Sequence, residues 1–317
     1  MTDDFNRSEG LVMMDKIGII NGKYIDPLTK KIETRNLFLS NGILVGMGVM
    51  WDEKEDEFEC VDVSQGLIIP QVSTMIDARY SDPITAEVFR KIAVRESVQN
   101  AYVMDSRFSD SEYLTNYMET ILIDELGVFP LAPLMIGSAA ASKADSLENS
   151  ALSTLKEQGI VGCFCDQIPD DSEAFIQALY IAELLALPVL FHKDCDLERL
   201  TAALLQFPKL KMGFLSDDRV TFVHSIEDIA HSQRYVMTMS PDADPSKNVL
   251  QTFVSLDPDR PLLEIVWALS YDFRQFFNQS TKLMGIGESI QLTVIDLEDD
   301  TFGGSKLSCF QNKVTVF

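Results

Sequence analysis

Glycine-rich phosphate loops, paired cysteines and long apolar runs are all missing from this 317-residue chain. Neither GxGxxG nor GxxxxGK with a following Ser or Thr succeeds any apolar strand, which removes support for nucleotide binding through a glycine loop. The five cysteines, Cys60, Cys163, Cys165, Cys195 and Cys309, include no CxxC pair. Free thiols in a reducing compartment are expected, with no structural disulfide. No stretch approaches the roughly 18 apolar residues that span a bilayer, so no membrane partner is expected. The opening MTDDFNRSEG lacks the basic start and apolar core of a signal peptide, and the expected location is cytoplasmic. Basic residues are also scarce, 26 against 49 acidic ones. A net charge of -23 argues against nucleic acid, whose binding rests on Lys and Arg displacing counterions. There are three histidines, His192, His224 and His231, and no GxSxG. A serine triad is therefore unsupported.

What is present is an apolar fraction of 46%, enough for one large domain and a small one. From Lys16 to Val49 short apolar runs alternate with turn signals, among them Asn21-Gly22 and Asn41-Gly42, which predicts a small antiparallel β unit. Gln291 to Asp296 and Lys313 to Phe317 are strand-like again, so both chain ends could share one sheet. The middle alternates apolar strands with segments of 3.6-residue periodicity, the pattern of βα units around a parallel sheet. Strands are expected near Ile68 to Ile76, Ala101 to Met104, Phe129 to Ile136, Ile160 to Cys165, Pro188 to His192, Val220 to His224 and Tyr235 to Met239. An eighth, with a thinner apolar pattern, spans Val249 to Leu256. Asp171 and Ser172 signal the start of a helix reaching Ala186. The expected fold is α/β, a distorted or incomplete (β/α)8 barrel, with a doubly wound open sheet as the alternative. Its domains are 14–65 together with 286–317, a small β-sandwich-like unit, and 66–285, the barrel.

Several segments in order resemble the dihydroorotase family of the amidohydrolase superfamily. IINGKYIDP with SNGILVGMG is similar to that family's N-terminal β unit, and VDVSQGLIIP to the lead into its first barrel strand. ALSTLKEQGIVGCFCD resembles its helix and fourth strand, LALPVLFHKDCD its fifth, and GESIQLTVIDLED the return to the small domain. The resemblance covers most of the chain and implies a metal-dependent barrel whose first strand ends in His-x-His, followed by a substrate-holding arginine.

At those positions this chain has Ile76, Ala78 and Tyr80. None keeps the required chemistry. The family's Met-Pro-Asn-Thr corresponds to Met104, Asp105, Ser106 and Arg107, with Ser106 in place of the substrate-contacting amide. After the fourth strand Cys165 and Asp166 are the candidates for the bridging acid, and only Asp166 is a carboxylate. His192 and His224 match the family's two single histidine ligands. SPDADPSKN stands where Pro-His-His is expected, and the eighth-strand Asp that would shuttle the proton has no counterpart.

The resemblance therefore implies a non-catalytic dihydroorotase-like protein with no metal, a structural or assembly partner of aspartate carbamoyltransferase in pyrimidine biosynthesis. It also implies a homodimer. The alternative is a divergent amidohydrolase acting on a cyclic amide through one zinc held by His192, His224 and Asp166, to which Cys195 could add a fourth ligand. A binding module that keeps a small ligand in the old pocket is the third reading. His231, seven residues after His224, is expected to face solvent or a neighbour. Cys163 and Cys165 alternate with Phe164 and are expected to pack on one side of their strand.

Overall fold

The computed structural model describes residues 16–26, 29, 31–48, 58–63, 66–70, 72–96, 98–123, 127–134, 151–216, 219–223, 235–239, 260–280, 285–288, 290, 292–297 and 310–316. Two units emerge, one of residues 1–70, 282–302 and 308–317 and the other of residues 71–281 and 303–307.

The first unit is a seven-stranded sheet. Its strands are β1 (Lys16–Asp26), β2 (Lys31–Ser40), β3 (Ile43–Gly48), β4 (Glu59–Asp62) and β5 (Leu67–Pro70), joined from the far end of the chain by β14 (Leu292–Leu297) and β15 (Phe310–Val316). They lie in the order β15-β14-β5-β1-β2-β3, with β4 paired to β1. Alternating residues of these strands supply one core, including Ile19, Leu37, Leu44, Ile68 and Leu292. The Asn41-Gly42 pair turns β2 into β3 with φ of 51° and 74°, the left-handed pair that a tight hairpin requires. Asn21-Gly22 makes no turn, contrary to expectation. β1 runs straight through it, and its register against β2 slips between Ile19 and Gly22. A side chain at Gly22 would collide with Ile68 and stand 3.1 Å from Val63, so the dipeptide marks a bulge under close packing.

The second unit is a closed ring of eight strands. In chain order it contains β6 (Ser73–Asp77), α1 (Ala86–Glu96), β7 (Asn100–Met104), a 3₁₀ turn (Ser106–Ser109), α2 (Ser111–Ile123), β8 (Gly127–Pro133), α3 (Ala151–Glu157), β9 (Gly162–Cys165), α4 (Ser172–Leu184), β10 (Val189–His192) and α5 (Leu197–Leu204). Three further strands complete it, β11 (Met212–Leu215), β12 (Arg219–Val223) and β13 (Tyr235–Met239), and the last pairs in parallel with β6. α6 (Leu262–Trp267), a π-helical turn (Ala268–Asp272) and α7 (Phe273–Phe276) follow.

The sequence signals account for much of this. At α4, Asp171 accepts hydrogen bonds from the backbone N–H groups of Glu173 (3.1 Å) and Ala174 (3.0 Å), the capping that the Asp171-Ser172 pair announces. Phe175, Leu179 and Ala182 are its buried face. Between β7 and the C-terminal helices, Tyr102 is fully buried and stacks on Phe129, Phe273 and Phe277 at centroid distances of 5.0, 5.1 and 4.4 Å. Gly162 on β9 lets Phe277 approach, since a side chain there would stand 2.9 Å from that ring.

Three expectations change. The stretch from Ile68 to Ile76 is two strands, β5 in the first unit and β6 in the ring. β11 was not foreseen, and with β12 it forms an antiparallel hairpin in which Met212 pairs Val223 and Leu215 pairs Val220. β12 is also antiparallel to β13, so seven ring strands run one way and β12 the other. Only residues 216–218 separate the two strands of the hairpin, too few for the crossover that a parallel pair needs. The strand expected from Val220 to His224 thus points its C-terminal end, Val223, at the start of β11, away from the ring end where β10 finishes at His192. His224 and His231 themselves, the expected strand Val249 to Leu256, the SPDADPSKN segment and Cys309 lie outside the described residues.

Candidate functional site

Barrel enzymes work at the C-terminal ends of their parallel strands, where loops can gather side chains from several directions. Here that end carries two copies of one small motif. Asp77-Ala78-Arg79 closes β6, and Asp105-Ser106-Arg107 follows β7. In each, the aspartate accepts from the arginine's backbone N–H, at 3.2 Å for Asp77 and 2.9 Å for Asp105, and from its Nε, at 2.8 Å in both. A second fork bond completes each pair, Arg79 Nη2 to Asp77 Oδ2 at 2.6 Å and Arg107 Nη2 to Asp105 Oδ2 at 2.7 Å.

The two arginines then reach in different directions. Arg79 Nη1 pairs with Asp166, just beyond β9, and so links the first ring strand to the fourth. Its side chain is only 4% exposed, over the Phe164 ring at 5.7 Å and against Tyr80 at 5.3 Å. Burial pulls the Arg79 guanidinium down, but Asp77 and Asp166 more than offset it, and its pKa lies above the ordinary arginine value. Arg107 donates back to the Ser81 carbonyl at 3.2 Å and ties the loop after β6 to the end of β7. Asp105 holds it with a carboxylate whose side chain is 2% exposed.

Beside Arg79 opens a cavity of about 410 Å³ lined by Tyr80, Asp166, His192, Asp194, Cys195 and Arg199 among others. His192 ends β10, is 23% exposed, and its Nδ1 accepts the Asp194 backbone N–H at 3.4 Å and lies 3.3 Å from Asp194 Oδ2. Cys195 folds back on the same turn, its N–H bonded to the His192 carbonyl at 3.0 Å. Its thiol lies 3.6 Å from the carbonyls of both Cys165 and Asp166. Interaction between the Cys165 and Cys195 thiols raises the Cys165 pKa and lowers that of Cys195. Cys163, fully buried on β9, is pushed by burial up to about 12.

The expected site residues are therefore only partly united. Asp166, His192, Tyr80 and Cys195 line one cavity, with Tyr80 84% exposed at its rim. Ile76 and Ala78 are fully buried, and strand alternation puts Ile76 on the face opposite Asp77. Ser106 is exposed in the 3₁₀ turn, where its carbonyl accepts from Ser109. The important residues missed were Asp77, Arg79 and Arg107. Their signal was the repeated Asp-x-Arg at the ends of consecutive strands.

His224, one of the ligands of the single-zinc alternative, lies outside the described residues. Among them no three His, Cys, Asp or Glu side chains converge closely enough to hold an ion. The strand-end carboxylates Asp77 and Asp166 are both engaged by Arg79. Among the described residues the mouth offers a fixed guanidinium, an acidic cavity wall and the His192 imidazole.

No protein-family profile matches the sequence, and no curated protein is similar to it. Solved structures do share its fold. A Xaa-Pro dipeptidase with methionine bound in its active site has a TM-score of 0.56 at 12% identity, over 89% of this chain and 94% of that one. A D-aminoacylase variant in complex with copper chloride gives 0.55 at 11% identity, over 92% and 93%. A protein described as an amidohydrolase gives 0.54 at 12% identity, over 92% and 94%. At such identities the likeness extends to the fold, and the chain has the mixed α/β barrel fold of the amidohydrolase structures.

Proposed function

We propose that this protein is a non-catalytic barrel of the amidohydrolase fold that acts by binding. The observation that carries this reading is Arg79, which neutralises the carboxylates ending the first and fourth barrel strands with a cation built into the chain. A hydrolytic centre needs an activated water and a base to shuttle its proton. Asp166 is poorly suited to either task while its carboxylate is paired. The resemblance to dihydroorotases makes aspartate carbamoyltransferase the first partner to test, by co-expression and co-elution.

A second reading, a divergent amidohydrolase, has its own observation. His192, Asp166, Asp194 and Cys195 line one cavity on the side of the barrel where such enzymes work. The fold comparisons favour this reading over an assembly role, because the neighbours quoted above are named for hydrolysis. The two readings separate in one assay. Purified protein supplied with zinc or manganese is offered dihydroorotate, Xaa-Pro dipeptides and N-acyl-D-amino acids. No turnover above the metal blank is expected. Turnover that disappears in His192→Ala would replace the non-catalytic reading with the hydrolytic one.

A further inference from the structure

We infer that Cys195 and Cys165 form a dithiol that low-molecular-weight disulfides convert to an intramolecular disulfide, a modification site on the wall of the barrel cavity. The inference stands on placement, independently of whether the barrel hydrolyses anything. Cys165 is the last residue of β9 and pairs with Phe191 of β10. After β10 the chain turns at Lys193 and Asp194, and the Cys195 N–H bonds back to the His192 carbonyl. That turn brings the Cys195 thiol over the end of β9, 3.6 Å from the carbonyls of Cys165 and Asp166. A thiol held against the backbone of the other cysteine lies within the short reach that a disulfide spans.

Access distinguishes the two sulfurs. Cys195 lines the 410 Å³ cavity and Cys165 does not. A small disulfide entering the cavity meets Cys195 first. The Cys195 thiolate attacks one sulfur of the reagent, forming a mixed disulfide and releasing one thiol. The Cys165 sulfur then attacks Cys195, passes its proton to the second departing thiol and closes the protein disulfide. Overall, two protein thiols lose two hydrogens and two electrons, and the reagent disulfide gains them as two thiols. The bond would fasten the turn bearing Asp194 to the end of β9 and so fix one wall of the cavity. Cys163, on the same strand, has no contact with the cavity and stays reduced.

The test is to treat the reduced full-length protein with oxidised glutathione and map its peptides without reduction. The expected product is a peptide joining Cys165 to Cys195, lighter than the sum of its parts by two hydrogens. Two of the five thiols should be lost to alkylation. Cys163→Ser should give the same cross-link, whereas Cys195→Ser should leave Cys165 alkylatable. A Cys195 that remains free, that persists as the glutathione adduct, or that pairs with a different cysteine would overturn the inference. Because the principal result is read on the wild-type protein, a variant that fails to fold does not affect it.

Discussion

Arg79→Met is expected to destabilise the barrel unit by about 2–4 kcal/mol, the range for removing one partner from a largely buried ion pair, reduced because the carboxylates keep some access to water. Arg79 is 4% exposed, whereas Asp77 and Asp166 are 27% and 37% exposed. The methionine replaces much of the packing against Phe164, so the loss reports the charge rather than a cavity. What it leaves is two carboxylates at one barrel mouth without their shared cation. At about 2–4 °C per kcal/mol for a unit of this size, the melting temperature should fall by roughly 5–15 °C. Arg79→Lys should recover only part of this, because an ammonium can meet one carboxylate but cannot fork onto Asp77 while reaching Asp166. Differential scanning calorimetry of the three proteins checks the ordering. A melting temperature for Arg79→Met equal to that of wild type would show that the clamp contributes nothing to the fold.

Tyr102→Ala should cost more, about 3–5 kcal/mol, because it removes a fully buried ring from a four-ring stack and leaves a void that Phe129, Phe273 and Phe277 cannot fill without moving apart. Tyr102→Phe separates ring from hydroxyl. That oxygen is buried and has no hydrogen-bond partner among the described residues. Removing it should leave stability unchanged or raise it by up to about 1 kcal/mol, since an unpaired buried hydroxyl is a cost rather than a support. Chemical denaturation of both variants gives the comparison. A large loss in Tyr102→Phe would mean that the hydroxyl makes a bond essential to the core.

These two sites differ in how far the sequence revealed them. Tyr102 lies on a strand expected from its apolar run, and its burial follows from that reading. The strands ending at Cys165 and His192 were legible for the same reason, as was α4 with its Asp171 cap. The hairpin of β11 and β12 was not, although MGFL and RVTFV are both apolar runs and the three residues between them are too few for a crossover. The expectation of one parallel strand per βα unit displaced that local signal. At the mouth the resemblance to His-x-His points to Ile76 and Ala78, whereas the ion pairs found there involve the neighbouring Asp77 and Arg79. Nothing in residue type alone foretells that Arg79 would cross to Asp166, because the two are 87 residues apart and meet only when the ring closes.

A fold shared with hydrolases does not by itself carry their chemistry. The strand ends that bind metal in the resembling family are here joined by a guanidinium. Under the reading proposed above, Arg79 serves at these strand ends in place of a metal ion. Metal analysis of protein purified without chelator, paired with melting curves before and after EDTA, decides whether it does. Well under one equivalent of zinc, manganese or iron is expected, with an unchanged melting temperature in EDTA. One or more equivalents of metal, with a melting temperature that falls when EDTA removes it, would contradict that reading.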